Sequence, residues 1–94
     1  MDKAHLVGIY TQEEMPEELE GFIRYQAALD GHQIKAGERI AVLNVTGTSS
    51  YVPVFLADLK DANDLESKLS QHGVQADQVS MVSLRRVLQE MGHS

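Results

Sequence analysis

Apolar positions along this chain switch between a two-residue and a 3.6-residue period, and the switches mark its elements. Residues 4–10, Ala-His-Leu-Val-Gly-Ile-Tyr, form a short apolar-rich run ended by polar residues, which predicts a strand. Thr11 followed by Glu14 resembles a capping box, but Pro16 competes for the helix start, because proline suits the first helical position. A helix is therefore expected from at or near Pro16. Leu19, Phe22, Ile23 and Ala27 fall on one stripe of it, and Gly31 ends it. After a polar segment with a turn at Ala36-Gly37, Arg39 to Val45 reads as a strand that is apolar on both faces. Thr46–Ser50 has turn composition and Tyr51 to Leu56 is again strand-like, so the pair predicts a β-hairpin with a five-residue loop. Pro53 interrupts it, since proline cannot donate to a ladder.

A second helix opens on Asp61, with Asp64 three residues later and Leu65 and Leu69 inside. His72 near its end suits the negative pole of the helix dipole, and Gly73 terminates it. Residues 78–82, Gln-Val-Ser-Met-Val, read as a fourth strand, with Ser83 capping a last helix that carries Leu84, Val87, Leu88 and Met91 up to Gly92. The alternative joins 77–91 into one helix, because Met81 extends the same stripe. The first reading gives a single α+β domain over residues 1–94: a four-stranded antiparallel sheet and two helices in ferredoxin-like βαββαβ order, plus a C-terminal helix. That topology makes the third strand central and requires Pro53 at a bulge or at the strand's start.

Splitting each strand into its two faces gives Leu6 and Tyr10 against His5, Val7 and Ile9, then Ile40 and Val42 against Ala41, Leu43 and Val45. The third strand gives Tyr51, Pro53 and Phe55 against Val52, Val54 and Leu56, and the fourth gives Val79 and Met81 against Ser80 and Val82. Most of these sets are apolar, whereas a sheet with one wet face should alternate apolar with polar. With the two long helices on one face, the other needs the terminal helix, a second copy or an apolar ligand to cover it. A homodimer is the expectation.

Composition narrows the function. The 94 residues carry no Cys, which removes thiolate catalysis, thiolate metal sites and disulfides. The start, Met-Asp-Lys, has no basic segment leading into an apolar one, and the longest apolar run, Val52 to Ala57, is far short of a membrane span. A cytoplasmic protein away from membranes is expected. The net charge is −6, and residues 11–20 hold Glu13, Glu14, Glu17, Glu18 and Glu20 with no base among them. That charge excludes nucleic acid as an expected partner, because such binding runs on clustered Lys and Arg.

The five glutamates form a candidate surface for a basic protein partner, set against the ordinary preference of acids for a helix's first turn. Ser83, Arg85 and Arg86 would offer an anion site if a helix begins at Ser83, and only then. The histidines, His5, His32, His72 and His93, share no metal-ligand spacing, so no metal and no cofactor is expected. His32 reads as a loop residue, His72 as a helix end and His93 as a frayed tail. His5 stands out by sharing a strand face with Val7 and Ile9. Asp58, Asp61 and Asp64 lack the alternation and the Gly of a calcium loop, and the Thr46–Ser50 loop leads into a strand and lacks a helix dipole for an anion. Gly-rich phosphate loops and nucleophile elbows are absent. The leading reading is a small non-enzymatic binding module, a homodimer presenting its acidic surface to a protein. The alternative is a small-molecule-binding or enzymatic dimer whose pocket, between sheet and helices, is lined by His5, Tyr10, Tyr51 and Arg85.

Overall fold

The computed structural model describes residues 1–92, so His93 lies outside the described residues. Its elements run β1 (Asp2–Tyr10), α1 (Glu17–Asp30), β2 (Ile40–Val45), β3 (Tyr51–Phe55), a single 3-10 turn (Leu56–Asp58), α2 (Ala62–Gln71), β4 (Val74–Ala76) and α3 (Gln78–Glu90). The sheet order is β3-β2-β1-β4. β2 pairs antiparallel with both β1 and β3, whereas β4 runs parallel to the start of β1. The architecture is a small α+β domain with a mixed sheet; a wholly antiparallel sheet of ferredoxin-like order is not what forms. No helix among the described residues is long and apolar enough to cross a membrane.

The departure begins at residues 77–82. Asp77 lies just before α3, and its Oδ1 accepts the Ser80 N–H at 2.7 Å. That cap starts a helix where the two valines suggest a strand. Ser80, Leu84 and Leu88 then form its buried stripe, while Val79 and Val82 point outward at 78% and 48% exposure. The cap and the 3.6-residue period outweigh the β preference of two valines. The fourth strand is instead the three residues Val74–Ala76, next to the Gly that ends α2. Beyond it α3 seals the edge of β1: Asp77 N–H donates to the Ala4 carbonyl, and Leu6 N–H donates to Ser80 Oγ at 2.8 Å.

Both faces of the central strands are buried, and the chain's own helices cover them from opposite sides. On one face Ala41, Leu43, Val52 and Val54 meet Leu65 and Leu69 of α2 and Leu84 and Leu88 of α3. On the other, Ile40, Val42 and Phe55 meet Leu19, Ile23 and Ala27 of α1. The face sets read from β2 and β3 are therefore correct. The inference that two long helices share one face is not, and with it goes the reason for requiring a second subunit to cover bare sheet. β1 also departs from simple alternation. Val7 is an extra residue between the pairs Leu6–Leu43 and Gly8–Val42, a β-bulge. It brings Leu6 and Ile9 onto the α2/α3 side and leaves Tyr10 with the α1 cluster. The Tyr10 ring lies over Gly8, where a Cβ would come within 2.5 Å of its hydroxyl.

Pro53 now has a simple explanation. β3 is an edge strand, not a central one. Val45 N–H bonds to the Ser50 carbonyl and Leu56 N–H to the Arg39 carbonyl, so the pairs between them alternate and Val42–Pro53 is a non-hydrogen-bonded pair. The missing N–H would have pointed outward, and the proline ring blunts an otherwise open edge.

Asp77 also sets an acid limit. The Ser80 backbone N–H, with a further contribution from its side chain, holds the Asp77 carboxyl below its ordinary 3.8. A carboxyl lowered in the folded state stabilises above its unfolded pKa, and that contribution is lost as the pH falls through the folded value. Thermal melts should therefore show α3-dependent stability declining below about pH 4. Asp77→Asn, which keeps a capping oxygen without the titration, should lessen that decline. An unchanged pH profile in Asp77→Asn would assign the acid sensitivity elsewhere.

Candidate functional site

The acidic segment is an exposed surface made by two successive devices. Glu14 turns back on its own loop: Oε1 accepts the Thr11 N–H at 3.1 Å and the Thr11 hydroxyl at 3.0 Å. Those bonds, the backbone one first, hold its carboxyl below the usual 4.5. Pro16 then precedes α1 without a side-chain cap, and Glu17, Glu18 and Glu20 occupy the first turn. Glu20 pairs with Arg24. Glu13, Glu17 and Glu18 are exposed and form no ion pair among the described residues.

The same helix carries an apolar surface that the stripe analysis did not separate from the core. Leu19, Ile23 and Ala27 are buried, but Phe22, expected with them, is 49% exposed on the flank. Tyr25 and Leu29 continue that flank at 67% and 62% exposure. The Phe22 ring meets the edge of Tyr51 at 5.6 Å between centroids. The acidic start of α1 thus leads into an aromatic and aliphatic strip that reaches the open edge of β3.

The four residues proposed to line one pocket sit in separate surroundings. His5 is exposed and its Nδ1 faces Thr46 Oγ1 at 3.3 Å. Tyr10 borders a shallow groove with Glu14, Arg39 and Val87. Tyr51 packs on Phe22, and Arg85 pairs with Glu66 of α2 at 3.1 Å. Ser83, Arg85 and Arg86 lie in the middle of α3, so Ser83 is not a cap and no helix N-terminus offers donors to an anion there.

A histidine dismissed in the sequence turns out to be the best-connected. His32 follows the Gly31 that ends α1, and its ring stacks on Phe55 at 4.0 Å. Nε2 meets Glu38 Oε2 at 2.7 Å and Nδ1 meets Asp58 Oδ2 at 3.0 Å. Glu38 is buried, and its second oxygen accepts the Lys35 N–H. With a carboxylate at each ring nitrogen, His32 clamps the α1–β2 loop to the end of β3 and the 3-10 turn. His32 and Asp58 border a polar cleft of about 580 Å³ between the ends of α1 and α2, where Asp30, Lys68 and His72 also face inward. No grouping of His and carboxylates among the described residues is set to hold a metal ion. Sequence reasoning missed this cluster because its members come from the α1–β2 loop, the end of β3 and the 3-10 turn, with no shared period. The one legible signal was Glu38, an acid two residues before an apolar strand.

Comparison with known proteins places the chain without assigning it a role. Over 89 residues it is 26% identical to the uncharacterized protein MJ0858 of Methanocaldococcus jannaschii, covering 94% of this chain and 79% of that protein. No solved structure matches it. A family model described as a domain of unknown function (DUF749) matches residues 3–88, nearly the whole chain, and the protein belongs to that family.

Proposed function

We propose that this domain works by binding, not by catalysis, and that the exposed start of α1 is its contact with a basic protein. The observation that carries this reading is the position of Glu13, Glu17 and Glu18: three exposed carboxylates at one end of one helix, with no ion pair among the described residues. Concentrated charge of one sign steers an oppositely charged partner and orients it on encounter. The chain's own chemistry fits this role. The histidine best placed for proton transfer is committed to two carboxylates, and the candidate pocket residues do not converge.

The test is affinity capture at low salt with the full chain and a Glu13/Glu17/Glu18→Gln variant. A partner should be retained by the first, lost from the second, and released by raising the salt toward about 0.3 M as the Debye length shortens. Equal recovery by both chains would remove the acidic contact from consideration. A second reading rests on the cleft beside His32, whose size lies within the range of small-ligand sites. Its test is a thermal-shift screen with polar metabolites against the chain and a Lys68→Ala variant.

A further inference from the structure

Gly21 is the residue of α1 that the domain itself does not explain. Apart from proline, glycine is the least favourable residue for a helix interior, and Gly21 is the fifth of fourteen residues. Close packing usually accounts for such a position, yet a Cβ built there meets nothing within 4 Å. Nothing among the described residues needs the space.

The surroundings supply a reason outside it. Residues three and four positions away are a helical residue's neighbours on the surface. For Tyr25 these are Gly21, Phe22, Ala28 and Leu29, all four apolar or small and all exposed. Tyr25 therefore stands at the centre of an apolar patch. Its outer side is lowered by Gly21 and Ala28, and its inner side is extended by the Phe22–Tyr51 contact. Glu17 and Glu18 lie one turn before Gly21 and Phe22, at the head of the patch. Exposed apolar surface rimmed by charge marks an interaction site, and small residues let a second helix approach closely.

We propose that this patch receives the apolar face of an amphipathic helix from a basic partner, packed along α1 over Gly21 and Ala28 with its cations at Glu17 and Glu18. The inference rests on the reading of α1 as the partner surface and adds what kind of element docks there. Charge selects the occupant. A second copy laid antiparallel would set Glu17 and Glu18 against Leu29 and Asp30, and a parallel copy would set acid against acid. The last turn of α1 offers no basic residue in either case. A basic helix meets the carboxylates with opposite charge and the patch with apolar side chains, the helix-on-surface mode of recognition.

The experiment titrates the isotope-labelled chain with two synthetic helical peptides of about 18 residues, long enough to hold a helix. Both carry leucine at helical spacing; one has lysines on its polar face, the other glutamines. The lysine peptide should shift backbone amide resonances of residues 17–29 and Tyr51, and bind about tenfold more tightly than the glutamine peptide. Gly21→Gln improves helix propensity, so it should melt no lower than the wild type while weakening both peptides at least about tenfold. Unchanged affinity in Gly21→Gln, or shifts confined to other elements, overturns the proposal. Loss of the lysine peptide only in Glu13/Glu17/Glu18→Gln, with Gly21→Gln unaffected, keeps the acidic contact and rejects helix docking. The converse keeps helix docking and rejects the acidic contact. A dimer seen by sedimentation and dispersed by Gly21→Gln would assign the patch to a second copy and also overturn it.

Discussion

His32→Ala is expected to destabilise the domain by about 3 kcal/mol, a fall of roughly 15 °C in the melting midpoint for a chain of this size. The imidazole packs on Phe55, ties Glu38 to Asp58 and is itself largely shielded, with the Glu38 side chain only 4% exposed. Removing it leaves a buried carboxylate oxygen without its hydrogen-bond partner, and a buried carboxylate stripped of a partner is costly. The Lys35 N–H still bonds to Glu38, which keeps the expected loss at the lower end of the range for buried pairs. Glu38→Gln offers the contrast. The amide keeps an acceptor for Lys35 N–H and a polar group facing His32 Nε2, so it should cost about 1 kcal/mol. Urea unfolding of the two variants checks the pair. Equal, small effects would mean that the cluster is a surface feature and not a clamp.

Leu84→Ala should cost about 3 kcal/mol, and Val79→Ala no more than about 0.5 kcal/mol in either direction. Leu84 is fully buried in the cluster that α3 shares with α2 and the sheet, whereas Val79 is 78% exposed on the first turn of α3. The contrast is a direct test of the element that residues 78–82 form. As a strand they would place Val79 on a sheet face beside Met81, and its truncation would open a cavity. As a helix they put Val79 in water, where alanine is the better helix former. A large loss in Val79→Ala with a small one in Leu84→Ala would restore the strand.

Legibility in the sequence followed locality. The start of α1 near Pro16 and its end at Gly31, the hairpin around Thr46–Ser50, and the Asp61 cap of α2 were all readable, because each depends on side chains within a few residues of one another. The alternating face sets of β2 and β3 were readable for the same reason. Residues 77–82 were ambiguous because two valines favour a strand while Met81 extends the stripe of a helix over 77–91. The Asp77 cap starts the helix, and tertiary contacts, the Leu6–Ser80 bond among them, hold it in place. The candidate site was half legible. The five glutamates stood out as a charge run, but the exposure of Phe22, Tyr25 and Leu29 depends on where α1 sits over the sheet. The His32 cluster depends on the α1–β2 loop meeting the end of β3 and the 3-10 turn, and that meeting leaves no period in the sequence.

By itself, the order of residues determined where α1 and α2 begin and end, that β2 and β3 are apolar on both sides, and where negative charge gathers. Those properties come from backbone preference, side-chain spacing and ionisation, all short-range. Only the tertiary structure decided that β4 lies parallel beside β1, that α1 covers the face opposite α2 and α3, and that Pro53 marks an edge. Strand order and helix placement are set by how separate apolar faces exclude water together, and many pairings satisfy the same local pattern until the whole chain packs.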